Sequence, residues 1–177
     1  MRRLVMGMAL GAILGVSLAV FADPVPGLKP MAFLAGHCWT GEFPGSQQRT
    51  DTHCFAWLYE GKALRDTHTV RAPGQPDHVG ETTYYWDPSS KRVEYLYIEN
   101  QGGVSHGTVT PEGGALVFPA TQYVTDGETL TYRVRWTPQR PPQAGEGGEP
   151  DAYEAWSETR TKDGWTTMFK LVLKRQS

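Results

Sequence analysis

The chain has 177 residues, with 17 Lys and Arg against 19 Asp and Glu for a formal charge of −2. That balance argues against nucleic acid or anionic lipid as the main partner. Six Trp, eight Tyr and six Phe among twenty Gly and thirteen Pro describe short aromatic strands joined by tight turns.

Residues 1–22 read as a secretory signal peptide: Arg2-Arg3, an apolar run from Leu4 to Leu18, then Ala19-Val20-Phe21-Ala22 with small residues at the cut. A retained anchor is the alternative, because Gly7, Gly11 and Gly15 repeat at a helix-packing spacing; the run is short for a span and ends in a cleavage pattern. Leu34 to Cys38, LAGHC, has the outline of a lipid-attachment box, but His37 interrupts it and the cysteine lies well past the apolar segment. Cleavage before Asp23 removes 22 of 177 residues, leaves 155 for one domain, and with the loss of two Arg takes the charge from −2 to −4. The expected destination is periplasmic or extracellular, with no membrane partner after cleavage. In such an oxidising compartment the two cysteines, Cys38 and Cys54, are expected to pair rather than remain buried thiols.

Residues 23–30 form a proline-rich lead-in to a single domain over 31–177, and Met31 to Ala35 fits one short helical turn. Strand-like segments then follow near 37–43, 49–59, 62–71, 79–86, 92–99, 104–109, 115–125, 129–136, 153–160 and 165–174, the rhythm of an all-β sandwich or barrel. Between Cys38 and Cys54 lies the turn signal Phe43-Pro44-Gly45-Ser46-Gln47, centred on their midpoint, so the two face each other across one hairpin. Closing a loop of about fifteen residues is worth roughly 3 kcal/mol. Strand alternation puts Cys38, Thr40, Thr52, Cys54, Ala56 and Leu58 on one face. His37, Trp39, His53, Phe55, Trp57 and Tyr59 share the other, which as the aromatic face is expected to line the interior. Later turns are marked by Glu60-Gly61, Asp87-Pro88, Gly102-Gly103, Gly113-Gly114, Asp126-Gly127 and Asp163-Gly164, and Pro119 marks a bulge. Pro138 to Pro150 reads as a loop, either a lid or, more simply, a tolerated insertion. No long amphipathic helix follows the leader, which excludes the strand–helix alternation of nucleotide-binding α/β folds.

Ala32-Phe33-Leu34-Ala35-Gly36 leading to Trp39-Thr40-Gly41, with Gly102-Gly103 and Gly107 in the middle and Lys174-Arg175 at the end, resembles the calycin superfamily. Within it the chain is most similar to exported bacterial lipocalin-like domains, and related to nitrobindin-type and fatty-acid-binding barrels. One departure is that those families place the tryptophan two residues after the glycine, whereas His37-Cys38 makes it three here. The resemblance implies a single antiparallel up-and-down β-barrel of about ten strands, with Trp39 near the closed end under Lys174 or Arg175. It also raises haem held through a histidine. None of His37, His53, His68, His78 and His106 matches a ligand motif and the last strand has no histidine, so no cofactor is assigned and His106 is only a weak choice of ligand.

Other candidates weigh less. Gly103-Val104-Ser105-His106-Gly107 matches a hydrolase nucleophile elbow, but strand and turn residues follow it where a helix is required. His37, Cys38, His53 and Cys54 have the composition of a zinc site, yet alternation sends cysteines and histidines to opposite faces, so no metal is assigned. Asp66 and His68 share a strand face, and a carboxylate beside an imidazole suits acid–base work. Arg65, Thr67, Thr69 and Arg71 make the opposite face polar too, so the simpler reading is an exposed strand. Trp39, His53, Phe55, Trp57, Tyr84, Trp86, Tyr95, Tyr97 and Tyr132 are the residues expected to bind ligand. The function expected is noncatalytic binding of a small, largely apolar or aromatic ligand. The alternatives are an enzyme using Asp66, His68 or His106, a haem barrel, and a filled interaction barrel.

Overall fold

The computed structural model describes residues 23–45, 48–142 and 147–177. The proposed leader lies outside the described residues, as do Ser46 and Gln47 of the first turn and 143–146 of the 138–150 loop. Ten antiparallel strands run in order around one closed barrel: β1 Cys38–Glu42, β2 Thr50–Leu58, β3 Ala63–Arg71, β4 His78–Asp87, β5 Arg92–Glu99, β6 Val104–Glu112, β7 Ala115–Thr125, β8 Glu128–Gln139, β9 Ala152–Thr161 and β10 Gly164–Arg175. Each strand pairs with its sequence neighbours, and β1 closes the cylinder on β10 through Trp39 opposite Arg175 and Thr40 opposite Lys174. Closure pairs β1 with β10, the two strands that would otherwise end the sheet as open edges.

Alternation drives each strand into this arrangement. Along β4, Gly80, Thr82 and Tyr84 are buried while Val79, Glu81 and Tyr85 face solvent. In the first hairpin Cys38 stands opposite Cys54 and Trp39 opposite His53, the register that the turn signal implies, and the cysteines form a disulfide. Trp39 and Phe55 point inward and are buried. Tyr59 departs from its expected inward position and is 76% exposed. It opens the β2–β3 turn, where Tyr59 and Glu60 have φ of 50° and 56°, so strand parity no longer applies to it. Pairing between β7 and β8 shifts between Phe118 and Thr121, which places the bulge at Pro119, a residue that cannot donate to the ladder.

One end of the barrel is plugged by a 3-10 helix, Pro26–Leu34. It begins inside the segment that reads as a lead-in and replaces the single turn expected over Met31 to Ala35. Pro26 suits the first helical turn, and Leu28, Met31 and Leu34 recur at the three-residue period that lines one side of a 3-10 helix. All three are fully buried, and Trp39 Nε1 donates to the Leu34 carbonyl at 3.2 Å. Arg175 shares Trp39's register and pairs with Glu149 at 3.2 Å, whereas Lys174 is exposed, so Arg175 is the basic residue on that side. The described part of the 138–150 loop joins β8 to β9 at this same plugged end, through Arg140 Nε to the Gly148 carbonyl and Asp151 N to the Gln139 carbonyl. A lid over the opposite end is therefore not what it forms.

Candidate functional site

Above the plug the barrel holds a cavity of about 650 Å³. Its mouth lies at the end away from the 3-10 helix, among Phe43, Arg49, Gln101, Tyr123 and Phe169. Aromatic rings build its walls: Phe118 and Trp136 meet at 4.7 Å between centroids, and Tyr84 lies within 6.3 Å of Phe118. Behind Trp136, Tyr153 and Trp39 continue the aromatic stack down to the plug.

Three polar clusters interrupt this lining. On β6 and β8, Tyr132 Oη donates to Ser105 Oγ at 2.9 Å, Ser105 Oγ donates to the Gln122 carbonyl at 2.8 Å, and Tyr95 Oη lies 3.4 Å from Tyr132 Oη. On β2 and β3, His53 opposes His68, and Asp51 and Asp66 flank them on the same inward face. His53 Nδ1 donates to Asp66 Oδ2 at 2.8 Å, and its Nε2 lies 3.3 Å from Asp51 Oδ2. Asp66 is 1% exposed. One oxygen of each carboxylate, Asp51 Oδ1 and Asp66 Oδ1, is buried with no hydrogen-bond partner among the described residues.

Burial works against a charged His53, but the Asp66 and Asp51 carboxylates outweigh it and push its pKa up to about 10. Burial, and then the His53 charge beside it, pull His68 down to about 4. Asp51 is buried too, yet the His53 cation holds its carboxyl below the ordinary range. His53, with its pKa raised, thus lies between two acidic side chains and beside His68, whose pKa is lowered. His68 stacks on His53 at 4.9 Å and on Tyr97 at 5.4 Å. Gly80 makes room for that stack: a Cβ there would stand 2.5 Å from Tyr97 Cε2 and 2.8 Å from His68 Cε1. His53, Asp66 and His68 each offer a ligand atom, and the three atoms lie within 4.8 Å of one another.

Nearer the mouth, Tyr97 Oη lies 3.1 Å from His78 Nε2 and 3.4 Å from His68 Nε2. Glu99 accepts from Gln101 N at 2.6 Å, from Gly103 N, and from Tyr123 Oη at 3.0 Å.

Of the residues expected to bind ligand, His53, Tyr84, Tyr95, Tyr97 and Tyr132 line the cavity. Trp39 and Phe55 are buried outside the lining, and Trp57 packs against the core from a half-buried position. Trp86 is displaced furthest: it is 37% exposed and covers Gly27 of the 3-10 helix, where a Cβ would meet its ring. The expectation that Asp66 and His68 lie on an exposed strand face is overturned, and the partner of Asp66 is His53 rather than His68. His106 is exposed on the outer wall, so it reaches neither an acid–base site nor an iron in the cavity. Ser105 sits within continuous β6, buried in the tyrosine network, and no nucleophile elbow forms. Sequence reasoning missed Asp51, Glu99, Phe118 and Trp136 as site residues; inward parity was the available signal for each.

Comparison with known proteins matches no family model and no curated protein.

Proposed function

We propose that this chain is an exported, noncatalytic barrel that binds one small, largely apolar or aromatic molecule. The observation that carries the reading is the aromatic-walled cavity of about 650 Å³, inside the usual range for small-molecule sites. Phenol and imidazole groups on the walls of that cavity supply orienting hydrogen bonds. A filled interaction barrel fits poorly with so large an interior space.

The buried Asp51–His53–Asp66 cluster favours an enzyme as the second reading, but its protonation state suits binding better. A general base works best with a pKa near the working pH. His53, raised to about 10, already holds its proton at neutral pH, and His68, lowered to about 4, is a weak base. Periplasmic or extracellular residence rests on the leader pattern at residues 1–22 and is supported by the Cys38–Cys54 disulfide.

Native mass spectrometry of protein expressed with its leader into a periplasm tests the proposal. The expected spectrum shows a chain beginning at Asp23, two hydrogens lighter than the reduced mass, carrying an adduct that organic solvent releases. A ligand-free spectrum, together with no thermal shift from a panel of aromatic acids and fatty acids, would overturn the binding reading. A chain that keeps residues 1–22 would overturn cleavage of the leader.

A further inference from the structure

We infer that the cavity wall binds one divalent transition-metal ion of the zinc class through His53, Asp66 and His68. Their ligand atoms already lie within 4.8 Å of one another, on adjacent strands whose register puts His53 directly opposite His68. Ligand atoms around a tetrahedral zinc are roughly 3.3 Å apart, so closing the set requires one imidazole to turn out of the His53–His68 stack until both ring nitrogens face the same point.

The second, independent observation is the state of the carboxylate. Asp66 is 1% exposed, yet Oδ1 has no hydrogen-bond partner among the described residues, although the side chain lines the cavity. A buried carboxylate oxygen without a donor is costly, and an ion held by this carboxylate would add a counter-charge beyond the one His53 gives at Oδ2. Two imidazole nitrogens and one carboxylate oxygen select a borderline ion such as zinc over calcium or magnesium, which prefer all-oxygen shells. The proton now shared between His53 Nδ1 and Asp66 Oδ2 is displaced to solvent as the ion enters.

Outer partners are also in place. Asp51 Oδ2 lies 3.3 Å from His53 Nε2, and Tyr97 Oη lies 3.4 Å from His68 Nε2. A carboxylate on the far ring nitrogen is the arrangement that fixes the tautomer and orientation of a metal-bound histidine. Three protein ligands leave a coordination position open toward the cavity, where an oxygen or nitrogen of a bound molecule can complete the shell. The site stands whether or not the organic ligand proposed above exists.

The test uses tag-free protein exported to a periplasm from its full coding sequence, stripped with a chelator and titrated with zinc and with cobalt by calorimetry and absorption. Saturation at one equivalent, with cobalt developing visible d–d bands, is expected. His68→Ala should weaken zinc by more than about 100-fold, beyond the loss that an outer partner causes. His106→Ala, on the outer wall, should leave affinity unchanged. Should His68→Ala fail to fold, X-ray absorption of the wild-type zinc complex decides, with two imidazoles in the shell expected. No saturable binding, full affinity in folded His68→Ala, equal loss in His106→Ala, or a shell without imidazole would each overturn the inference.

Discussion

Asp66 shows how a single side chain can order a barrel interior. It is almost completely buried, it holds His53 at 2.8 Å, and the Asp51–His53–Asp66 arrangement keeps a charge inside an otherwise aromatic wall. Asp66→Asn preserves the shape and removes the stronger of the two counter-charges on His53. Breaking a buried pair from one side costs about 3 kcal/mol, a loss that urea denaturation of the variant should read directly. An unchanged midpoint would mean that Asp51, at 3.3 Å, alone suffices. Gly80 acts by omission, since any Cβ would enter the Tyr97–His68 stack. Gly80→Val should therefore destabilise the barrel by about 1–3 kcal/mol, through overpacking, and weaken ligand binding in a fluorescence titration.

At the scale of elements, two hairpins carry separate constraints. The disulfide ties β1 to β2, and the Cys38→Ser/Cys54→Ser double variant should lose about 3 kcal/mol in chemical denaturation. The wild type in reductant should approach the same value. In the β5–β6 turn, Glu99 accepts two backbone N–H groups and the Tyr123 hydroxyl. Burial pushes its carboxyl upward, but those hydrogen bonds and the nearby His78 prevail and hold it below the ordinary value. A carboxylate lowered on folding contributes stability above its unfolded pKa, near 4.3, and that contribution is lost as pH falls through the folded value. Melting temperature should thus drop on acidification below about pH 4. Glu99→Gln should remove part of that drop while already melting lower at neutral pH.

The first hairpin was legible because a turn signal sat midway between two cysteines and fixed the register of every residue around it. The Pro119 bulge was legible for an equally local reason, a missing backbone donor. The faces of β3 were not, since polar residues occupy both of them and alternation gives no contrast. Only the opposing β2 chain, which brings His53 to Asp66, shows which side is interior.

Across the whole molecule, strand parity reports the face of a residue but not its height along the barrel axis. Trp86 has the parity of Tyr84, yet Tyr84 lines the cavity while Trp86 packs beyond it on the 3-10 helix. Trp39 and Phe55 likewise point inward and lie outside the cavity lining. Height depends on strand stagger around the closed cylinder and on where the plug sits, neither of which is written in local alternation. The plug itself shows the same limit, because the helix starts at Pro26, before the apolar positions that announce it. Above the plug, the cavity is the feature on which the functional reading rests, and Val134, on its wall, offers a way to fill it. The most direct test is a fluorescence titration of 8-anilinonaphthalene sulfonate into wild type and Val134→Trp, with both checked for β-structure and melting temperature. Saturable one-to-one binding in the wild type, lost in a folded Val134→Trp, is the expected result; equal binding by both would contradict ligand binding inside the barrel.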